Sequence, residues 1–158
     1  MSYPVAGFLR RFYALFVDCL ILEIAGGFIT FPLVKKLDLR LDAVVDAFFK
    51  GEMENLQEIA IFLSINMFVL TLLWTFYFVY FIGSAGQTLG KKLMRIKVVP
   101  AAEDNVEMDY KTAFNRFLGL TVSASALFIG FIWALFNDKR QTWHDLMANT
   151  IVIKLTSS

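Results

Sequence analysis

Charged side chains inside an apolar run are the first residues of this sequence whose types and spacing could do chemistry. The run Phe8 to Val34 is long enough to cross a bilayer, yet it carries Arg10 and Arg11 at its start and Asp18 and Glu23 inside. A carboxylate in hydrocarbon costs roughly 2.5–3.5 kcal/mol on insertion scales, so such groups are candidate sites for an ion or a proton. On a helix, Arg11 and Asp18 lie on one face, about 10.5 Å apart. Ala14 between them leaves room for the arginine to fold toward the acid, and this polar stripe needs partners elsewhere in the chain.

The composition indicates a single membrane domain over residues 1–158. Hydrophobic residues make up 58% of the chain and its mean hydropathy is +0.61, and three apolar runs of near-membrane length are hard to bury in a soluble domain of this size. The net charge of +1 gives no global electrostatic case for nucleic acid as a partner. Cys19 is the only cysteine, which excludes an intrachain disulfide and a cysteine-based metal site.

The elements that must position the charged groups follow from hydrophobic periodicity. The pattern predicts an all-α integral membrane protein, a small helical bundle with two firm transmembrane helices. A third apolar segment is either a transmembrane or a re-entrant helix. The alternating segment Arg95–Val99 could pair with Asn149–Leu155 as a short cytoplasmic two-stranded ribbon. The predicted spans cover residues 8–32, 56–82 and 117–136, and a surface amphipathic helix covers about 37–50.

The distribution of basic residues predicts the orientation. The loop between the second and third apolar runs has six Lys and Arg residues against four in the first loop, so the N-terminus and the second loop are expected in the cytoplasm. A third full span would place Lys139 and Arg140 outside and separate the two candidate strands. The small, hydroxylated first half of the third run and Gly130 favour a re-entrant hairpin, and a full span is the alternative.

Motifs of known enzyme classes are missing from the sequence. The segment Gly83 to Val99 contains glycines and lysines, but it fails the Walker A pattern because Ala85 stands where the first glycine belongs and Lys92 follows Lys91. No serine lies in the sequence context of a nucleophile elbow. His144 is the only histidine and Cys19 the only cysteine, so the chain has too few of these ligands for a typical zinc site. We therefore expect no catalytic activity, no cofactor and no bound metal.

The segment Thr142 to Asp145 has two interpretations. Its spacing fits a capping box, in which the Asp145 carboxylate accepts from the backbone of the N-cap residue Thr142. Alternatively, Asp145 pairs with Arg11 or Arg116 and ties the tail to the bundle, and the two roles are compatible because a carboxylate has two oxygens. His144 either relays protons beside Asp145 or simply packs at the interface.

Three separated motifs make the chain resemble the RDD family of small membrane proteins, named for one arginine and two aspartates. The first is RRFYALFVD, with Arg11, Ala14 and Asp18; the second is GQTLGKKLMRIKVV, Gly86 to Val99; the third is DKRQTWHDLMANTIVI, Asp138 to Ile153. The resemblance implies that Asp145 is the second family aspartate and that Arg116 is the usual arginine before the third apolar run. Asn149 stands where the family commonly has glycine, and Glu23 lies outside the pattern.

The resemblance and the residues together lead to two functional hypotheses. Some members of the resembled family are described as sodium–proton antiporters, which implies a small-ion transporter, acting as an oligomer, with a monovalent cation or proton as its substrate. Its polar constellation would be Arg11, Asp18, Arg116 and Asp145, with His144 and Arg10 as accessory groups. The alternative is a non-catalytic scaffold or accessory subunit of a larger membrane complex, in which buried ion pairs only fix the helix register. Either protein would be a multi-pass protein of the cell (inner) membrane, in contact with the lipid bilayer and with copies of itself or a membrane-protein partner.

Overall fold

The computed structural model describes residues 4–36, 49–50, 56–101, 108–125, 129–136 and 140–155, and it is mostly helical. The predicted amphipathic helix lies almost entirely outside these residues. Two compact units divide the chain: residues 1–20 with 75–158 form the first, and residues 21–74 form the second. The elements in chain order are α1 (Phe8–Lys36), α2 (Leu56–Ala85), α3 (Leu89–Leu93), β1 (Ile96–Pro100), α4 (Tyr110–Ser125), α5 (Ile129–Ile132), a 3₁₀ turn (Trp133–Leu135), α6 (Trp143–Met147) and β2 (Thr150–Lys154).

Two helices are long and apolar enough to cross a membrane, and they are the two that the sequence predicts. Helix α1 continues through Pro32 to Lys36, beyond the predicted end of the first span at about residue 32. A proline removes only one backbone hydrogen bond, which a long spanning helix tolerates. In the second unit, a side chain at Gly26 would collide with Leu70, since an added Cβ would lie 2.6 Å from Leu70 Cδ2. Gly26 therefore permits close packing of Leu70 against α1.

The predicted ribbon is present as an antiparallel pair of β1 and β2. Its register places Ile96 opposite Lys154 and Pro100 opposite Thr150. The segment before α1 joins it, because Ala6 N–H donates to the Val152 carbonyl at 2.8 Å. The turn into β2 uses a positive φ of 49° at Asn149, a conformation that asparagine adopts more readily than most residues. Glycine would adopt the same conformation at a lower steric cost, because it has no Cβ.

The core of the first unit is made of small and β-branched side chains from the ribbon and three helices. Its members are Ala6, Ala14, Ile82, Ile96, Val98, Ala113 and Val152. Ile96 and Val98 of β1 point inward and have no exposed surface, as the alternation in the sequence predicts. The core therefore anchors the ribbon to the start of α1 and the end of α2.

The third apolar run folds back on itself within the described residues. A Cβ added to Gly130 of α5 would lie 2.9 Å from the Ser123 Cβ of α4. On a straight helix, residues seven positions apart are about 10.5 Å apart along the axis, so α4 and α5 do not form one straight helix. The described helices are also shorter than a span, and a third crossing is not confirmed. This geometry favours the re-entrant interpretation.

Candidate functional site

Two fully buried carboxylates organise the polar groups of the first unit. Asp18 of α1 and Asp145 of α6 both have 0% of their surface exposed. Each carboxylate accepts hydrogen bonds from residues that are distant in the sequence, and each therefore defines a separate cluster. The Asp18 cluster consists of Asp18, Tyr77, Thr88, Gly90 and Lys91, and the Asp145 cluster consists of Arg11, Arg116, Thr142, Asp145 and Thr150.

The Asp18 cluster joins the long helix α1 to the short helix α3. Asp18 Oδ1 accepts from the Tyr77 hydroxyl at 2.6 Å and from the Gly90 backbone N–H at 2.7 Å. Its Oδ2 accepts from the Thr88 hydroxyl at 2.6 Å. Lys91 Nζ lies 4.0 Å from the same oxygen, beyond hydrogen-bond distance. The carboxylate thus has three close donors from its own chain, which satisfy most of its hydrogen-bonding capacity.

Gly90 is the residue that lets α3 approach the carboxylate. A Cβ added at this position would collide with the Ala14 carbonyl oxygen and would lie 2.8 Å from Asp18 Oδ1. Thr88 begins α3 as its N-cap, and its hydroxyl also accepts from the Lys91 backbone N–H at 3.3 Å. The glycine-rich segment that does not match the Walker A pattern thus supplies hydrogen-bond donors to the Asp18 carboxylate of the same chain.

The Asp145 cluster brings together both ends of the chain. Arg11 Nη1 of α1 donates to Asp145 Oδ2 at 2.6 Å, and Arg116 Nη1 of α4 makes an ion pair with Asp145 Oδ1. Arg116 also donates to the Thr150 hydroxyl at 2.5 Å. Burial alone would raise the pKa of Asp145, but the positive charges of Arg116 and Arg11 outweigh it and hold the pKa well below its usual range. Asp145 is therefore ionised at neutral pH.

Both interpretations of Asp145 hold in the structure. Its Oδ2 accepts from the backbone N–H of Thr142, the N-cap of α6, at 3.0 Å, and it also pairs with two guanidinium groups. The room that Ala14 leaves beside Arg11 is not used for a contact between Arg11 and Asp18. The Arg11 guanidinium reaches across to Asp145 instead, and its Nε donates to the Ala6 carbonyl at 3.2 Å. The polar groups expected to form one constellation therefore form two clusters.

The two accessory groups, His144 and Arg10, lie in different surroundings. His144 is buried, and burial lowers its pKa to about 3, so that its ring is neutral at physiological pH. Its ring centroid lies 5.0 Å from that of Phe131, and its Nε2 is 3.9 Å from Asp145 Oδ1, too far for a hydrogen bond. These contacts fit the packing interpretation of His144. Arg10 is exposed and belongs to neither cluster.

A partly open cavity lies beside the two clusters. Its walls combine a majority of apolar side chains with the basic groups of both clusters. Neither Asp18 nor Asp145 is among the lining residues. The lining residues are Arg11, Leu15, Phe78, Ile82, Lys91, Ala113, Arg116, Phe117, Leu120, Phe131, His144 and Val152.

Lys91 is one of several site residues that the sequence analysis missed. Its side chain is only 12% exposed, its Nζ lies 5.4 Å from the Phe78 ring centroid, and burial lowers its pKa to about 8. In the sequence it is half of a lysine pair, and nothing there separates it from Lys92, which is exposed. Among the described residues, no group of three His, Cys, Asp or Glu residues could hold a metal ion.

Comparisons with known proteins agree with the motifs. The model of the RDD family matches residues 5–149, nearly the whole chain. The uncharacterized protein YxaI of Bacillus subtilis (strain 168) is 25% identical over 149 residues, which cover 94% of this chain and 96% of that protein. The uncharacterized protein RP437 of Rickettsia prowazekii (strain Madrid E) is 37% identical over 78 residues, 49% of this chain and 42% of that protein, so the match spans less than half of that relative. No solved structure shows a significant match.

Proposed function

The chain belongs to the RDD family, and we propose that it is a multi-pass membrane protein that acts as a non-catalytic scaffold or accessory subunit, assembling with copies of itself or with a membrane-protein partner. The observation that carries this proposal is that both buried carboxylates are held by several groups of the same chain. Asp18 accepts from three groups, and Asp145 is held by two guanidiniums and a backbone N–H. A carboxylate that is already held by several internal groups links the elements that carry them and has less capacity left for a travelling cation.

The assembly part of the proposal is supported by an acid in the middle of the first span. Glu23 lies near the centre of α1, and its side chain is exposed, as is Gly27 one turn further on. A Cβ added to Gly27 would meet nothing within 4 Å, so this face of the helix is open to a close neighbour. A carboxyl group facing hydrocarbon is costly, and a helix that hydrogen-bonds to it would remove that cost.

Crosslinking of the purified protein in lipid nanodiscs and single-molecule counting in native membranes test this assembly. We expect Glu23→Leu to reduce association, because leucine removes the hydrogen-bonding group, and Glu23→Gln to retain it, because an amide also bonds across helices. Lys92→Gln, at an exposed site outside both spans, is the matched control. Unchanged association in Glu23→Leu would remove Glu23 from the interface, and a strictly monomeric wild type would end the proposal.

Ion transport is the second candidate, and a specific pair of residues favours it. The Lys91 ammonium lies 4.0 Å from Asp18 Oδ2, and its lowered pKa of about 8 places its proton exchange near physiological pH. A cation or proton carrier would use this pair, with Asp18 on the spanning helix. Liposomes that contain only the pure protein separate the two candidates.

Under the scaffold proposal, the liposomes show no sodium, potassium or proton flux above that of empty vesicles. Flux in wild type that disappears in both Asp18→Asn and Lys91→Met, while both variants stay folded, would establish the transporter instead. Flux that Asp18→Asn leaves unchanged would support transport by a route that does not use Asp18. A stoichiometric second protein that co-purifies from native membranes would identify the scaffold's partner.

A further inference from the structure

We propose that the cavity beside the two clusters binds a single-chain amphiphile with an anionic head, a carboxylate or a phosphate, and an apolar tail. This binding site is independent of the scaffold role. The argument rests on the charge of its walls, on hydrogen-bonding capacity that the chain does not use, and on its apolar lining.

The cavity walls carry three basic side chains and no carboxylate. Arg11, Lys91 and Arg116 line it, while Asp18 and Asp145 lie behind them. The two acids leave one positive charge of this set without a counter-charge. The fourth polar lining residue, His144, is neutral at physiological pH because burial lowers its pKa to about 3. The site therefore suits a single negative charge and repels cations.

One buried donor and one buried ring nitrogen at these walls have no hydrogen-bond partner among the described residues. Arg11 Nη2 makes no hydrogen bond, although the same guanidinium is held firmly through Nη1 and Nε. Arg11 is 7% exposed, so water does not solvate this group freely. The His144 Nδ1 atom is buried and also lacks a partner. A buried charged donor without a partner lowers the stability of the fold, and an oxyanion bound beside it would supply the missing hydrogen bond.

The rest of the cavity lining is apolar, and it favours a ligand with an apolar tail. Phe78, Phe117, Leu120 and Phe131 supply large hydrophobic surfaces to the cavity. A small hydrophilic anion such as phosphate would leave these surfaces without contact, whereas an alkyl chain would cover them. The cavity also lies at the end of the spans where α1 begins and α2 finishes, and basic pockets at that level of a membrane protein commonly hold anionic head groups.

Equilibrium binding of radiolabelled decanoate to the protein in phosphatidylcholine nanodiscs tests the proposal, with empty nanodiscs as the blank. We expect saturable binding that decyl phosphate displaces. Decanol lacks the charge and acetate lacks the tail, so neither should displace it at the same concentration. Lys91→Met should weaken binding roughly tenfold, the effect of losing one charged contact. Leu120→Trp should abolish binding by filling the cavity, and Lys92→Gln, an exposed neighbour of Lys91, is the matched control.

Thermal unfolding of each variant without ligand shows that it is folded before binding is compared. Binding no greater than that of empty nanodiscs would overturn the proposal, and so would equal binding by folded Leu120→Trp and wild type. Displacement by inorganic phosphate as efficient as that by decyl phosphate would also overturn it, because the ligand would then be a free oxyanion rather than an amphiphile. Equal displacement by decanol would show that the basic side chains do not select the ligand.

Discussion

Asp145 is the residue whose loss should cost the molecule most stability. It neutralises two guanidiniums that are each less than one-tenth exposed. We expect Asp145→Asn to lower the free energy of unfolding by about 3–5 kcal/mol, because it leaves two buried cations without a counter-charge. Asp109→Asn, at an exposed acid near the start of α4, is the control and should cost much less. Denaturant unfolding in detergent measures the free energy of unfolding of both variants. Equal losses of this free energy would show that the ion pairs of Asp145 contribute no more stability than a surface acid does.

His144 should make the protein less stable in mild acid. Its pKa is about 3 in the folded chain and about 6.5 when unfolded, so below pH 6.5 the unfolded state binds more protons and the stability falls. Between pH 7.5 and pH 5.0, this single group should remove about 2 kcal/mol.

The measurement compares wild type with His144→Gln at the two pH values. We expect the variant to lose about 2 kcal/mol less than wild type over this interval, whatever its stability at pH 7.5. The difference isolates the histidine because the carboxylates titrate in both proteins. Equal losses would mean that His144 is protonated in the folded protein.

Helix α3 contains Gly90, whose backbone N–H donates to the Asp18 carboxylate. We expect Gly90→Ala to lower the free energy of unfolding by at least about 2 kcal/mol, because the new methyl group collides with the Ala14 carbonyl and displaces the Gly90 N–H from Asp18. Gly27→Ala is a matched control, since nothing lies within 4 Å of the added Cβ. A helical Gly→Ala change there should raise stability by about 0.5–1 kcal/mol. Equal effects of the two substitutions would contradict the close approach of α3 to α1.

Local patterns predicted the elements well and their long-range contacts poorly. The Thr142–Asp145 spacing predicted the cap of α6 because both groups lie within one helical turn, and the alternation around Val98 and Val152 predicted the ribbon. The partners of Asp18 could not be predicted, because Tyr77, Thr88 and Gly90 are brought to it only by the folded chain. The direction of Arg11 was equally undetermined, since a flexible side chain can reach either carboxylate.

At the scale of the whole molecule, the positions of the basic residues predict which side of the membrane each unit faces. With Cys19→Ser as background, single cysteines at Lys36 and Lys92 serve as references, since both lysines are exposed. We expect a membrane-impermeant maleimide to label Lys36→Cys in intact cells and to label Lys92→Cys only after permeabilisation, because the loop richer in basic residues stays inside. The reverse pattern would invert the orientation.

A third cysteine, at position 139, separates a full third span from a re-entrant segment on this same background. The contact that Ser123 makes with Gly130 folds α4 and α5 together, and this leaves too short a straight helix to cross the bilayer. The antiparallel pairing of β1 with β2 further requires the segments before and after the third run to meet on one side of the membrane. We therefore expect Lys139→Cys to be protected in intact cells, as Lys92→Cys is. Labelling from outside would require a third crossing, and a ribbon whose strands come from opposite sides of the membrane could not then form.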